Sequence, residues 1–382
     1  MLVSSQAINP GLLDAVATDP AESIGLPVNE LDTPALLVDL DLMEANIARM
    51  ADYFRQAGVA WRPHTKGIKT PDIVWKLLEA GAIGVTCAKL SEAEVYAAFG
   101  ITDILIANQI VGRQKVARLM RLRRHADPIV AVDSLENSRE LDEAAQNEGV
   151  QLRVVIEVNV GFNRCGVEAG PPVLAFARQI ASLPGLRLVG VMTWEGHTGL
   201  LPPDEKPSAV EAAIRQLVDS AELCRAAGIP MEIVSCGGTM TYMFSAKVNG
   251  VTEIQAGGGV FSDYLYHRAG TSHPIALSVL ATVISRPTPT RIVTDMGRKA
   301  MCADHLAKPW PKDINGVKSV ALMAEHGQIE LEAPSETPRI GDKIEWHVGY
   351  GDMTVCLHDE IYGVRKGIVE AVWPVLARGR LR

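Results

Sequence analysis

The sequence predicts an α/β protein in which a (β/α)8 barrel of the TIM type is followed by a smaller, mainly antiparallel β domain. Two patterns predict it. As far as Pro274, short apolar runs rich in Val and Ile alternate with longer stretches of helical periodicity, which is how parallel βα units read. Beyond it, apolar runs succeed one another with turn residues between them and no helical stretch, which is how antiparallel strands read.

In the first part, runs at 60–66, 84–90, 103–109, 129–134, 153–159, 188–194, 232–236 and 253–257 read as strands, and 70–80, 91–98, 113–124, 135–148, 173–182 and 209–227 as helices between them. Eight such units close a barrel, whose reacting groups sit where the strands end and the βα loops begin. Lys66, Lys89, Asn108, Asp133, Asn159, Trp194, Ser235 and Gln255 all fall at or near those ends. The alternative, an open doubly wound sheet, lacks the GxGxxG that would follow a first strand. In the second part the strands are 276–285, 291–295, 318–324, 328–331, 342–348 and 360–373, with hairpin signals at Glu325-His326-Gly327 and Arg365-Lys366-Gly367. The expected organisation is an N-terminal arm at 1–34, the barrel at 35–274 and the β domain at 275–382, with 36–40 a strand lent to the β domain and 42–57 a helix leading into the barrel.

A chain of 382 residues, 47% hydrophobic, buries a large core. Its net charge of -8 and its lack of Lys and Arg clusters interleaved with aromatics exclude a nucleic-acid footprint. The six cysteines form no CxxC pair and no leader-like segment opens the chain, which fits the cytoplasm. No apolar stretch approaches the roughly 20 residues that cross a bilayer, so no membrane partner is expected.

Lys66, in Trp61-Arg62-Pro63-His64-Thr65-Lys66-Gly67-Ile68-Lys69, stands out among the polar strand ends. A lysine amine desolvated at the end of a buried strand becomes a nucleophile and forms Schiff bases with pyridoxal phosphate or with carbonyl substrates. His64, two residues earlier on a strand, points to the same side, where it orients a cofactor ring or tunes the amine; a satisfied core histidine is the alternative. Lys69 reads as a helix-start or surface charge. Lys89 is the rival Schiff-base lysine, but Ser91 followed by Glu94 reads as a helix N-cap with its capping-box partner, which leaves Lys89 a supporting role.

Arg164 lies in a glycine-bracketed loop after the strand at 153–159, where its fixed charge and planar donors suit a phenolate or carboxylate; a structural salt bridge is the alternative. Glycine clusters follow the last two strands, Ser235-Cys236-Gly237-Gly238-Thr239 and Gln255-Ala256-Gly257-Gly258-Gly259. Barrels often hold a phosphate there, on backbone N–H groups that glycines leave open. Trp194-Glu195-Gly196-His197 brings an aromatic ring and an imidazole, with His197 placed to handle a proton and Trp194 equally suited to core filling. In the β domain, Asp352 and His358 are donors suited to a divalent cation such as magnesium, manganese or zinc, with a solvated loop as the alternative.

As a set, these motifs resemble the fold-type III pyridoxal-phosphate enzymes, specifically the D-threonine aldolase, 3-hydroxyaspartate aldolase and D-serine dehydratase group related to alanine racemase. The resemblance runs from about Leu31 to the C-terminus through Asp32-Thr33-Pro34, Arg62-Pro63-His64-x-Lys66, Asn163-Arg164-Cys165-Gly166, Gly237-Gly238-Thr239 and Val372-Trp373-Pro374-Val375-x-Ala377-Arg378-Gly379. It implies that Lys66 is the Schiff-base lysine, that Arg164 contacts the cofactor's phenolic oxygen, that Gly238, Thr239, Gly257 and Gly258 surround its phosphate, and that a homodimer forms in which one subunit's β domain completes the other's site. This chain departs from the family twice. Tyr350-Gly351-Asp352 stands where a His-x-Asp or His-x-Cys metal pair is usual, which suggests Tyr350 as a phenol acting in proton transfer, and Ile68 stands where a histidine is expected.

The function so implied is pyridoxal-phosphate-dependent retro-aldol cleavage of a β-hydroxy-D-amino acid, of the D-threonine or 3-hydroxyaspartate type, to glycine and an aldehyde, with His197, His64 or a metal-bound water at Asp352 as the base. The alternatives on the same fold are dehydration of a D-serine- or 3-hydroxyaspartate-type substrate, racemisation, and pyridoxal-phosphate binding without turnover. Ammonia plus a keto acid, or an inverted enantiomer, would mark the first two.

Overall fold

The computed structural model describes residues 20–303 and 306–382; the expected arm at 1–34 therefore lies largely outside the described residues. Strand β1 (Ala35–Asp39) leads into helix α1 (Leu40–Ala57), which starts where Asp39 Oδ1 accepts the Leu42 N–H at 3.0 Å and stops at Gly58, in the left-handed region at φ 68°. The barrel continues as β2 (Ala60–Trp61), α2 (Pro71–Glu79), β3 (Val85–Cys87), α3 (Leu90–Ala98), β4 (Asp103–Ile106), α4 (Arg113–Arg123), β5 (Asp127–Val132), α5 (Leu135–Asn147) and β6 (Leu152–Asn159). Then come β7 (Val167–Glu168), α6 (Pro171–Ala181), β8 (Leu186–Met192), α7 (Lys206–Ala226), β9 (Ile233–Cys236), α8 (Tyr242–Ser245), β10 (Glu253–Ile254) and α9 (Tyr264–Arg268).

Eight of these strands pair in parallel in the order β2-β10-β9-β8-β6-β5-β4-β3, and a parallel bridge between His64 and Thr86 joins the two edges into a closed ring. The strands alternate between two environments, as a period of two demands. Leu105, Ile129, Ala131, Val155, Val189 and Met192 fill the barrel interior, while their neighbours Ile104, Ile106, Val130, Val132, Val154 and Ile156 pack outward under the helices. With the interior filled by side chains, chemistry is confined to the open ends. The end at which the strands begin is tied by ions: Arg62, 2% exposed, holds Glu253 at 3.1 Å and Asp103 at 3.2 Å, and Arg153 reaches the other Asp103 oxygen at 2.7 Å.

The second sheet is built from β11 (Leu277–Thr288), β12 (Arg291–Thr294), β13 (Trp310–Pro311), β14 (Val317–Leu322), β15 (Gly327–Leu331) and β16 (Lys343–His347), then, after the helical turn α10 (Gly351–Thr354), β17 (Glu360–Arg365) and β18 (Ile368–Pro374). Its order is β14-β15-β12-β11-β1-β17-β18, with β16 paired to β11 and β13. The run at 360–373 folds as a hairpin because Lys366 (φ 51°) and Gly367 (φ 78°) take the two left-handed positions of a tight turn. β1 lies between β11 and β17, so the strand that precedes the barrel in sequence sits inside the sheet that follows it. This docks the β domain at the barrel's edge.

Two local expectations are corrected. Ser91 is not the cap of the helix after β3. Glu92 accepts the backbone N–H groups of Ala88 at 2.8 Å and Lys89 at 3.0 Å, Ser91 Oγ accepts the Arg382 N–H at 3.2 Å, and Glu94 pairs with Arg118 on the next helix. Lys69 is no surface charge either: it is 6% exposed and ion-paired with Glu92, itself 1% exposed. One buried carboxylate thus serves both the helix start and the lysine.

Candidate active site

The C-terminal ends of the barrel strands open into a cavity of about 600 Å³. His64 and Lys66 enter it after β2, Asn108 and Gln109 after β4, Phe162 and Arg164 after β6, Trp194 and His197 after β8, and Gly237, Gly238, Thr239, Gln255, Gly257 and Gly258 after the last two strands. Tyr350 and Asp352 reach it from the same chain's β domain. Ser235 does not line it: fully buried, it accepts the Gln255 side-chain N–H at 2.9 Å and so orients a residue that does.

The backbone after β2 stays extended to His64, whose N–H bonds the Gln255 carbonyl at 2.8 Å, and then turns tightly over Thr65–Gly67. Lys66 therefore stands on a turn and not on the strand expected at 60–66. Its side chain is 44% exposed, so desolvation is not what distinguishes it. Position and partner do. Nζ lies 3.1 Å from Asp352 Oδ2, and Tyr350 Oη donates to that same oxygen at 3.0 Å. Gly67 permits the approach, because a Cβ there would overlap Asp352 Oδ1.

His64 Nδ1 accepts the Lys66 N–H at 3.3 Å. Burial, with Lys66, Lys69 and Arg164 nearby, holds its pKa well below the ordinary imidazole range. A neutral ring whose Nδ1 is an acceptor carries its proton on Nε2, so His64 is a donor toward the cavity and not a base. His64 is therefore not the base that the sequence offered it as. Arg164 lines the cavity and makes the salt bridge that was its alternative reading, 3.5 Å from buried Glu157, with its guanidinium carbon 5.4 Å from the Phe162 ring centre. His197 stands exposed at the rim, stacked on Phe162 at 6.4 Å.

The opposite wall is made of backbone. A Cβ on Gly238 would overlap the Trp194 ring, one on Gly257 the His64 backbone and one on Gly258 the Tyr266 hydroxyl. Among the described residues, the N–H groups of Thr239 and Gly258 have no protein partner. Unpartnered backbone donors in a wall without side chains form a seat for an anion. Glu195 holds the first of these loops from beneath. Fully buried, it accepts Thr241 Oγ1 and Ser245 Oγ at 2.6 Å each and the Gly237 N–H at 3.3 Å.

Pyridoxal phosphate fits these residues. The unpartnered donors suit its phosphate, the amine of Lys66 suits its aldehyde carbon, Arg164 suits its phenolic oxygen, and the cavity has room for the ring and a small amino acid. A divalent cation fits less well. Asp352 Oδ2 is engaged by Lys66 and Tyr350, and a phenol stands two residues before it. His358 is not in the cavity wall; its Nε2 lies 2.7 Å from the Ala300 carbonyl oxygen and donates to it. No group of three or more His, Cys, Asp or Glu side chains among the described residues is arranged to hold a metal.

Glu195, Gly67 and Tyr266 were missed as site residues by sequence reasoning. A carboxylate inside Trp194-Glu195-Gly196, where a buried strand ends, was the available signal for the first. Gly67, directly after the lysine, was the signal for the second. Tyr266 carried none.

A closed barrel with an amine and an anion seat at its strand ends, joined to an antiparallel β domain, defines the alanine racemase-like class of pyridoxal-phosphate enzyme. Residues 38–264 match the family model of the alanine racemase N-terminal domain and residues 276–364 that of a serine dehydratase domain. The chain is 36% identical over 373 residues to D-threonine aldolase of Arthrobacter sp, covering 96% of this chain and 98% of that protein. It is 35% identical over 369 residues to 3-hydroxy-D-aspartate aldolase of Paracoccus denitrificans, covering 93% and 94%. The crystal structure of D-threonine aldolase from Filomicrobium marinum matches with a TM-score of 0.91 and 36% identity over 94% of this chain and 99% of that one. The chain belongs to this family of fold-type III pyridoxal-phosphate enzymes, the D-threonine aldolase, 3-hydroxy-D-aspartate aldolase and D-serine dehydratase group.

Proposed function

We propose that the protein is a pyridoxal-phosphate-dependent lyase that cleaves the Cα–Cβ bond of a β-hydroxy-D-amino acid, of the D-threonine or 3-hydroxyaspartate type, to glycine and an aldehyde. The observation that carries this reading is the placement of Lys66 Nζ, 3.1 Å from Asp352 and across one cavity from two backbone loops fit to seat a phosphate. When bound, the cofactor supplies an electron sink for the charge left at Cα.

The chain's own residues do the rest. Lys66 anchors the ring, Arg164 holds its phenolic oxygen, and Gly238, Thr239, Gly257 and Gly258 hold its phosphate. Gln255, fixed by Ser235, and the Nε2–H of His64 orient it from the strand side. Asp352, hydrogen-bonded to Tyr350, takes the β-hydroxyl proton and, through the adjacent Lys66 amine, returns a proton to Cα. His197 at the rim is the second group placed to move a proton, and Trp194 walls the cavity between it and the phosphate loop.

The protein is further read as a cytoplasmic homodimer acting on a small amino acid, without nucleic-acid or membrane partners. The homodimer rests on the family resemblance alone; six free cysteines support a reducing compartment, the net charge of -8 speaks against nucleic-acid partners, and no helix of the described residues is long and apolar enough to cross a membrane. Incubation of the cofactor-loaded protein with D-threonine and with the D-3-hydroxyaspartates tests the function. Glycine and the matching aldehyde are expected; ammonia with a keto acid would replace this reading by dehydration.

A further inference from the structure

The barrel loop after β10 and the β domain meet at one buried carboxylate. Asp263, 1% exposed, accepts the Tyr266 N–H at 2.9 Å through Oδ1 and the Gly351 N–H at 2.7 Å through Oδ2. The first bond caps α9, which carries the cavity residues Leu265 and Tyr266; the second fixes the backbone between Tyr350 and Asp352. Two more bonds tie the same segments, Tyr264 N–H to the Val348 carbonyl at 3.2 Å and Leu265 N–H to the Gly349 carbonyl at 3.1 Å. Tyr266 in turn places its hydroxyl against Gly258 of the anion seat. Asp263 thus joins the phosphate wall to the segment that delivers Asp352.

We propose that Asp263 is a positioning residue for the reaction: its carboxylate pins the Gly351 backbone to the phosphate wall and so holds Asp352 against Lys66. The inference rests on the proposed role of Asp352. The two oxygens of this one carboxylate each accept one of the two N–H groups, and the charged side chain that acts on it, Asp352, is a carboxylate and offers it no cation. Burial, with Asp352 nearby, raises its pKa to about 7, while the backbone N–H groups of Gly351, Tyr266 and Leu265 oppose that rise.

The test uses the full-length, cofactor-loaded protein and the variants Asp263→Asn and Asp263→Ser. Each keeps an oxygen to cap α9 and removes the acceptor for Gly351. The expected result is a loss in kcat of about tenfold or more, with KM changed less than about threefold, and a shifted pH titration of the cofactor's absorbance like that of Asp352→Asn. On an Asp352→Asn background, either substitution at Asp263 should cost less than a further twofold or so, because the two act through one contact. Losses that multiply in the double variant, or an unshifted absorbance titration with kcat retained, would overturn the proposal. If no substrate is cleaved by the wild type, the absorbance titration still decides it, which separates its failure from that of the proposed reaction.

Discussion

Asp352 Oδ2 and Lys66 Nζ stand 3.1 Å apart although one belongs to the β domain and the other to the first barrel loop. The contact crosses two sheets of one chain, and Gly67 makes room for it. Gly67→Ala would place a methyl group where Asp352 Oδ1 lies. Asp352 must move away from Lys66, and kcat is expected to fall about tenfold or more while the cofactor still attaches; steady-state kinetics alongside the absorbance of the bound cofactor check both halves.

Glu195→Ala removes the acceptor of three buried donors, Thr241 Oγ1, Ser245 Oγ and the Gly237 N–H. The two hydroxyls keep the Gly238 and Thr241 carbonyls within 3.4 Å and 3.2 Å, so the Gly237 N–H is the donor left stranded; the change is expected to cost about 2 kcal/mol of stability and to loosen the phosphate loop, lowering apparent cofactor affinity about tenfold or more. Urea denaturation of the apoprotein and cofactor titration measure the two effects separately.

Removal of divalent cations is expected to leave the retro-aldol rate within about twofold of its starting value, since the donors at Asp352 are already engaged and His358 points to a backbone carbonyl. The measurement is the rate after exhaustive chelation and again after addition of manganese, magnesium or zinc. Loss on chelation with recovery on one metal would restore a cation to the site.

Stability should fall on the acid side. His273 is buried behind the anion seat, where burial first, then Arg49 and His267, lower its pKa to about 4; its Nε2 shares a hydrogen bond of 2.9 Å with the Tyr242 hydroxyl, whose own pKa is pushed up to about 12. Its folded pKa lies below its unfolded value near 6.5, so between about pH 6.5 and 4 the unfolded chain binds the extra proton. That contribution is complete above pH 6.5 and is lost as pH falls through 4. Urea midpoints measured from pH 7 to 4 should fall, and His273→Gln should flatten the slope.

The barrel was legible in the sequence because its signal is local. Val130-Ala131-Val132 and Val154-Val155-Ile156 are runs that only a strand buried on both faces explains, and the polar residue that ends each run marks the reacting side. Lys66, Arg164 and the two glycine clusters followed from that polarity, and the structure lines one cavity with them. What the sequence hid is what long-range contacts decide. Lys69 and Glu92 are 23 residues apart and each looks like a surface charge alone; burial together is what pairs them. The short turn Gly351–Thr354 read as an acid-rich loop, and only the docking of β1 between β11 and β17 brings it to Lys66.

The covalent role of Lys66 is most directly measured by reducing the cofactor-loaded protein with borohydride and mapping the modified peptide by mass spectrometry. The reduced pyridoxyl group is expected on Lys66, and Lys66→Ala should lose both the adduct and the cofactor's absorbance. An adduct on Lys89 or Lys69, or absorbance retained in Lys66→Ala, would contradict the assignment on which the proposed reaction stands.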